Sequence, residues 1–303
     1  MPHDSIAEVE RFTDLETLVS CPVCDQGLGP PAPDPRAAAS RRALPFDVSR
    51  CDACRTYFRN PRPTLAAILA SYDRGSMFAT WREQREVRQL LWRRRLRLVQ
   101  RRRTAGRLLD VGTGDGAFLG YAKAAGFQAV GLEPSPVGSA LARAAGHDVR
   151  VGTLDEAELA AGSFDVITAW HVLEHVQAPV AFVRRIAALL SPEGLLFLAV
   201  PNEERVLLPR RLGWRGGPDL GPLVPGEEIH LVHFQPRTLR DALSRAGFGV
   251  IGFGVDDVDT RRSFRNWLKR AVNAAVASAT GWHLSTAMYA VARRRASANG
   301  GLP

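Results

Sequence analysis

The chain has 303 residues, 46% of them hydrophobic and 23% charged, which is globular composition and excludes general disorder. It carries 40 Lys+Arg against 31 Asp+Glu, a formal charge of +9. The stretch Arg82–Arg107 alone holds 11 arginines and two glutamates, so the rest of the chain sums to zero, which excludes a uniformly basic nucleic-acid coat protein.

No run of about 18 apolar residues occurs, so no transmembrane segment is expected. The N-terminus is acidic and lacks an apolar core, so it does not read as a signal peptide, and a cytoplasmic location is the expectation. Residues 1–20 read as a short helical lead-in. Residues 21–62 contain two cysteine pairs, Cys21-Pro-Val-Cys24 and Cys51-Asp-Ala-Cys54, around a Pro/Ala-rich loop. All four cysteines of the chain are used, and two C-x2-C turns are the arrangement of a tetrahedral four-thiolate zinc site. A reducing cytosol disfavours disulfides. The gap between the pairs exceeds ordinary ribbon spacing, and the loop takes up the excess. Structural zinc held by Cys21, Cys24, Cys51 and Cys54 is therefore expected, with residues 1–62 as lead-in and zinc ribbon.

Residues 63–106 read as bridging helices. One opens at Pro63-Thr64, and a long one runs from about Met77 to Arg103. In it Trp92, Leu96 and Val99 form one apolar stripe, and Val87, Leu90, Leu91 and Leu98 another, with arginines between them. Three readings of the arginines compete: a solvated face, contact with an anionic acceptor or membrane surface, and contact with RNA.

From residue 107 strands and helices alternate, which implies an α/β unit with a parallel sheet covered on both faces. The strands are Arg107–Val111, Gln128–Glu133, Asp148–Val151, Phe164–Thr168 and Leu195–Val200. The helices are Ala117–Ala125, Pro136–Ala145 and Val180–Leu190, the last closed by Ser191-Pro-Glu-Gly194. A Gly/Pro-rich segment follows Pro201. Then come a helix at Thr238–Ala246, a strand at Gly249–Val255, a helix at Ser263–Ala279 and a last strand at Thr286–Arg293.

The sharpest local chemistry is Asp110-Val-Gly112-Thr113-Gly114-Asp-Gly116, set between a strand and a helix. Glycines let a ligand approach the backbone without a Cβ clash. Glu133, at the end of the next strand, is placed to accept both hydroxyls of a ribose. A dinucleotide would also fit, through Gly112, Gly114 and Ala117. The order of motifs separates the two cofactors. Asp110 to Gly116 resembles motif I of class I S-adenosyl-L-methionine (SAM)-dependent methyltransferases, Glu133-Pro134 resembles their motif II, and Ser163-Phe-Asp-Val-Ile167 resembles the start of their fourth strand.

The resemblance extends to Trp170-His171-Val-Leu-Glu174-His175, to Val200-Pro-Asn202 and to His230-Leu-Val-His233-Phe, which follow a small-molecule subgroup. The paired cysteines followed by Phe58 to Pro63 resemble the zinc-ribbon head on many such proteins. The resemblance implies a Rossmann-like seven-stranded methyltransferase sheet with its last strand antiparallel. It also implies S-adenosyl-L-methionine as cofactor, contacted by Asp110, Gly112, Thr113, Gly114, Gly116, Glu133, Pro134, Asp155, Trp170 and His171. Residues 107–303 would form this domain, with segment 201–237 covering a small-molecule acceptor such as a sugar, surface-polysaccharide or natural-product intermediate, including an anionic, lipid-linked or nucleotide-linked one. RNA methylation and a non-catalytic, zinc-headed interaction protein are the alternatives.

A hydroxyl acceptor benefits from a base near neutral pH, and histidine is the usual supplier. His230, His233 and His171 are the catalytic candidates. His171-x-x-Glu174-His175 alone also matches an inverted zinc-protease motif, but it begins at the end of a strand beside the cofactor turn, with no protease pattern around it.

Overall fold

The structure, a computed structural model, describes residues 14–29, 48–72, 85–204, 229–256 and 285–295. The expected first turns of the arginine helix (77–84), most of the Gly/Pro-rich segment and the helix at Ser263–Ala279 lie outside the described residues.

The cysteine head contains β1 (Leu15–Glu16), β2 (Val48–Arg50), β3 (Tyr57–Arg59) and β4 (Arg62–Pro63). Residues 14–20 are thus not helical: β1 pairs antiparallel with β4, and Ser20 bridges to Gly27. Helix α1 (Leu65–Tyr72) follows, and α2 (Arg85–Gln100) is the arginine helix. The stripe of Trp92, Leu96 and Val99 turns inward, while Leu90 stays 46% exposed.

The main sheet then alternates with helices: β5 (Gly106–Val111), α3 (Ala117–Ala124), β6 (Phe127–Glu133), α4 (Pro136–Ala144), β7 (Val149–Val151) and β8 (Phe164–Trp170). A single 3-10 turn (Leu173–His175) leads to α5 (Pro179–Leu189) and β9 (Leu190–Pro201). The chain ends its described part with β10 (Val232–His233), α6 (Pro236–Arg245), β11 (Phe248–Val255) and β12 (Ala287–Arg294). The seven strands run in the order β11-β12-β9-β8-β5-β6-β7. The inner strands pair in parallel and β12 is antiparallel to both neighbours, so the expected antiparallel last strand is present.

The sequence explains these elements locally. Leu196 to Val200 are all buried, as a central strand covered on both faces requires. Ser135 caps α4, its hydroxyl accepting from Gly138 N at 3.1 Å, with Pro136 in the first turn. One expectation fails here. Ser191-Pro-Glu-Gly194 does not separate α5 from the next strand; it is a bulge within β9. Phe164 pairs with Leu190 and Val166 with Leu195, so the extra residues loop out. A Cβ on Gly194 would come within 2.9 Å of the Phe164 carbonyl, so the chain closes there only with glycine.

The head is joined to the sheet domain through backbone. Strand β10, from the region after the Gly/Pro-rich segment, pairs antiparallel with β3, in a three-stranded sheet ordered β10-β3-β2. Cys21, Val23, Cys51 and Phe58 share one apolar cluster with Leu173, Leu231 and Phe234.

Candidate active site

Strand order reverses between β5 and β8, and in open α/β sheets ligands bind beyond the carboxyl ends of strands at such a point. The glycine turn leaves β5 there. Gly112, Gly114 and Gly116 all have positive φ (69°, 57° and 75°), the region that favours glycine. At Gly112 a Cβ would also stand 2.5 Å from Val172 Cγ2, so glycine lets the chain after β8 pack on the turn.

Two carboxylates organise the turn from beneath. Asp110 is 2% exposed and accepts hydroxyl hydrogen bonds from Thr113 (2.8 Å) and Thr168 (2.5 Å). Burial raises its pKa to about 7 despite those bonds. Glu133 ends β6, with Oε2 accepting from Gly114 N at 2.7 Å and Oε1 from Ser135 N at 2.9 Å. Each oxygen has one backbone donor and keeps a lone pair for another. Burial raises this carboxyl as well.

Above the strand ends lies a cavity of about 540 Å³. Gly112, Thr113, Gly114, Glu133, Pro134, Asp155, Trp170 and His171 all line it. Asp110 and Gly116, predicted with them, stand behind the wall: Asp110 beneath the turn, Gly116 against Ala142 and His147. Ile68, Leu69 and Tyr72 of α1 and Arg88, Trp92 and Arg95 of α2 also line it. The arginine helix therefore roofs the cavity. Arg88 forks onto Asp115 at 2.7 and 2.9 Å. Arg95 is buried between the Trp92 and Trp170 rings, 4.7 and 4.9 Å from their centroids, and bonds Asp256.

The predicted histidines separate. His171 has φ 58°, a strained conformation for a residue with a side chain, of the kind that collects at functional sites. Its Nδ1 lies 3.2 Å from Glu174 Oε1 and its Nε2 3.7 Å from Asp256 Oδ2. Burial alone would lower its pKa, but these two carboxylates raise it to about 9, so the ring is a cation at neutral pH. His230 packs edge-on against His175, with centroids 5.0 Å apart. Burial, and then the neighbouring His175, push it down to about 3. His233 is 1% exposed, sits on β10 facing Glu203 at 3.6 Å, and does not reach the cavity. His175, the last residue of the His-x-x-Glu-His motif and not among the catalytic candidates, does line it.

The cysteines converge. Cys21 and Cys54 sulfurs are 3.6 Å apart, as are those of Cys24 and Cys51, and all four lie within 4.8 Å of one another. A tetrahedron with bonds of about 2.3 Å has sulfur–sulfur edges of about 3.8 Å. The hydrogen bond from Cys21 pulls Cys54 down to about 4, and the same contact with burial pushes Cys21 up.

Residues 81–252 match the methyltransferase domain family. Among curated proteins the chain is 34% identical over 149 residues to a ubiquinone biosynthesis O-methyltransferase of Xanthomonas axonopodis pv. citri, covering 46% of this chain and 62% of that one. It is 31% identical over 137 residues to the enzyme of that name from Methylobacterium sp., covering 40% and 55%. The chain thus spans about three fifths or less of the length of these relatives. Among solved structures it is similar to a SAM-dependent methyltransferase from Thermotoga maritima (TM-score 0.52, 16% identity, 75% of this chain and 100% of that one). One from Archaeoglobus fulgidus is comparable (0.51, 17%, 73% and 100%). At such identities these likenesses show the fold alone.

Proposed function

Because the chain belongs to the methyltransferase domain family, we propose that it is a SAM-dependent methyltransferase acting on a hydroxyl of a small molecule. The observation that carries this is Glu133. Its carboxylate is built into the cavity wall with both oxygens oriented by backbone N–H groups and both still able to accept, as two adjacent ribose hydroxyls need. Beside it Gly112 to Gly114 offer bare backbone, Asp155 lies at the rim, and Trp170 gives an apolar wall.

When bound, the cofactor supplies an activated methyl group on a sulfonium. The protein's task is then to align acceptor and methyl carbon and to exclude water. The roof formed by α1 and α2 serves the exclusion. Calorimetry tests the reading: SAM and its demethylated product should bind in the micromolar range. Glu133→Gln should weaken both by about 1–3 kcal/mol, the worth of a charged hydrogen bond. No heat with either ligand overturns it.

A structural zinc ion in the head fits the four convergent thiols, held by Cys21, Cys24, Cys51 and Cys54. For the acceptor, the O-methyltransferase names of the curated relatives favour a hydroxyl. The arginine helix gives RNA little support, because Arg88, Arg94, Arg95, Arg102 and Arg103 all bond within the chain. Methyl transfer from labelled SAM into an extract, sorted into RNA, protein and small molecules, decides the class.

A further inference from the structure

His175 lines the cavity with one ring nitrogen anchored. Its Nδ1 lies 2.9 Å from the Ile229 carbonyl oxygen. A carbonyl only accepts, so Nδ1 carries the hydrogen, and Nε2 is the nitrogen left to exchange a proton. Glu174 Oε1 stands 3.9 Å from Nε2, beyond a hydrogen bond but close enough to stabilise an imidazolium once formed. The other candidates lack this arrangement. His171 has a carboxylate at each nitrogen, and His230 lies behind His175.

What holds Ile229 is the cysteine head. The next two carbonyls of that segment are both taken by Arg59 of β3. Its Nε donates to His230 O at 3.0 Å and its backbone N to Leu231 O at 2.9 Å. Leu231 N in turn donates to Glu174 O at 2.7 Å. Arg59 is 2% exposed, and β10 follows at once, paired to β3.

We infer that His175 is the base that takes the acceptor's proton, and that Arg59 of the head is the positioning residue that sets its tautomer. The inference rests on the proposed methyl transfer. The acceptor O–H proton passes to His175 Nε2. The oxygen's electron pair forms the new O–C bond as the S–C bond breaks with its pair left on sulfur. The head then acts on the reaction site from outside the cavity, through Arg59, rather than as a separate recruiting module.

The test uses the whole protein with S-adenosylhomocysteine bound, its histidines labelled with nitrogen-15, at mildly alkaline pH. Long-range proton–nitrogen spectra should show His175, assigned by its loss in His175→Gln, as the Nδ1–H tautomer. Arg59→Gln should mix in the Nε2–H form, and Arg59→Lys, which restores a donor to His230 O, should reverse this. An Nε2–H or doubly protonated His175 in the wild-type protein overturns the assignment, even if Arg59→Gln fails to fold. A folded Arg59→Gln with an unchanged tautomer overturns the positioning role. In the labelled-methyl assay on an extract, His175→Gln should lose on the order of 100-fold in rate. Wild-type rate in that variant overturns the base role, whereas no transfer by the wild-type protein overturns the methyl-transfer reading instead.

Discussion

Arg95 Nη2 lies 2.5 Å from Asp256 Oδ2, and both side chains are only 2% exposed. The pair ties the roof helix α2 to the end of β11, beside the cavity. It accounts for one charge of the basic segment. Arg94 bonds the Val255 carbonyl, Arg102 the Ile251 carbonyl and Arg103 the Glu193 carbonyl, so several of the arginines fasten the helix to the sheet. Arg95→Met or Asp256→Asn alone should destabilise by about 3–5 kcal/mol, because each strands a buried charge or its partner. The double substitution should cost less than the sum. Exposed Arg93, Arg97 and Arg101, changed singly to glutamine, should each stay within about 0.5 kcal/mol. Denaturant unfolding measures all of these.

The buried carboxylates, His171 and His230 set the pH dependence of the cofactor-free protein. Asp110 has an ordinary value of 3.8 and is raised to about 7, so the folded state holds a proton the unfolded state has lost. Its contribution to stability is lost as pH rises between those values. His171, raised from 6.5 to about 9, contributes stability that is full below 6.5 and lost as pH rises through 9. Against burial, Arg95 holds Asp256 below the usual range, and that stability is lost in acid. His230, lowered from 6.5 to about 3, contributes stability that is full above 6.5 and lost as pH falls, which opposes Asp110 over nearly the same range. Unfolding free energy should therefore be highest between about pH 4 and 6.5 and fall above that. Asp110→Asn should make stability rise more steeply up to about pH 6.5, and His171→Gln should flatten the alkaline fall. A rise in stability from pH 6 to 9 would contradict both assignments.

The proposed cofactor half of this site was legible because its chemistry depends on backbone. Three glycines at fixed offsets after a strand, then an acid at the end of the next, leave a periodic signature, and Gly112 to Gly114 and Glu133 lie where that signature put them. The proposed acceptor half depends on side chains brought together from remote segments. His175 meets Ile229, Arg59 meets His230, and Arg95 meets Asp256, at separations of 54, 171 and 161 residues. Nothing local marks such pairs. Arg95 looks like every other arginine of its helix, and a two-residue strand such as β10 has too few positions to show alternation. The cysteine pairs were legible as a cluster, but their attachment to the histidine segment was not.

That attachment has a measurable consequence. Freshly purified protein should contain one zinc per chain, with none in Cys51→Ser/Cys54→Ser. Stripping the metal should unfold the head, since four thiolates around one ion would hold Cys21–Cys24 to Cys51–Cys54. Because β3 pairs with β10, amide exchange should then rise at Val232 and His233 as well. Exchange confined to the head would show that the shared strand pair does not couple them.

The glycine turn separates two costs that sequence alone cannot. Gly116 and Gly126 both have positive φ, 75° and 93°. Alanine at either must adopt a left-handed backbone, which costs roughly 1–2 kcal/mol. At Gly126 the new Cβ meets nothing within 4 Å, so Gly126→Ala should cost only that. At Gly116 it would stand 2.9 Å from Ala142 Cβ and 3.3 Å from Ala142 Cα, atoms of α4 that cannot swing aside as a flexible side chain can. Gly116→Ala must push α3 from α4 and should cost at least about 1–3 kcal/mol more, the range for overpacking a filled core. The strain should also reach the ligand, because Gly116 N closes the turn onto Thr113 O at 3.0 Å and Thr113 lines the cavity. Gly116→Ala should therefore weaken SAM binding while Gly126→Ala leaves it unchanged, as calorimetry on the two variants would report. Equal losses of stability and equal affinities would mean that α4 yields to the methyl group and that the turn is not set by its packing.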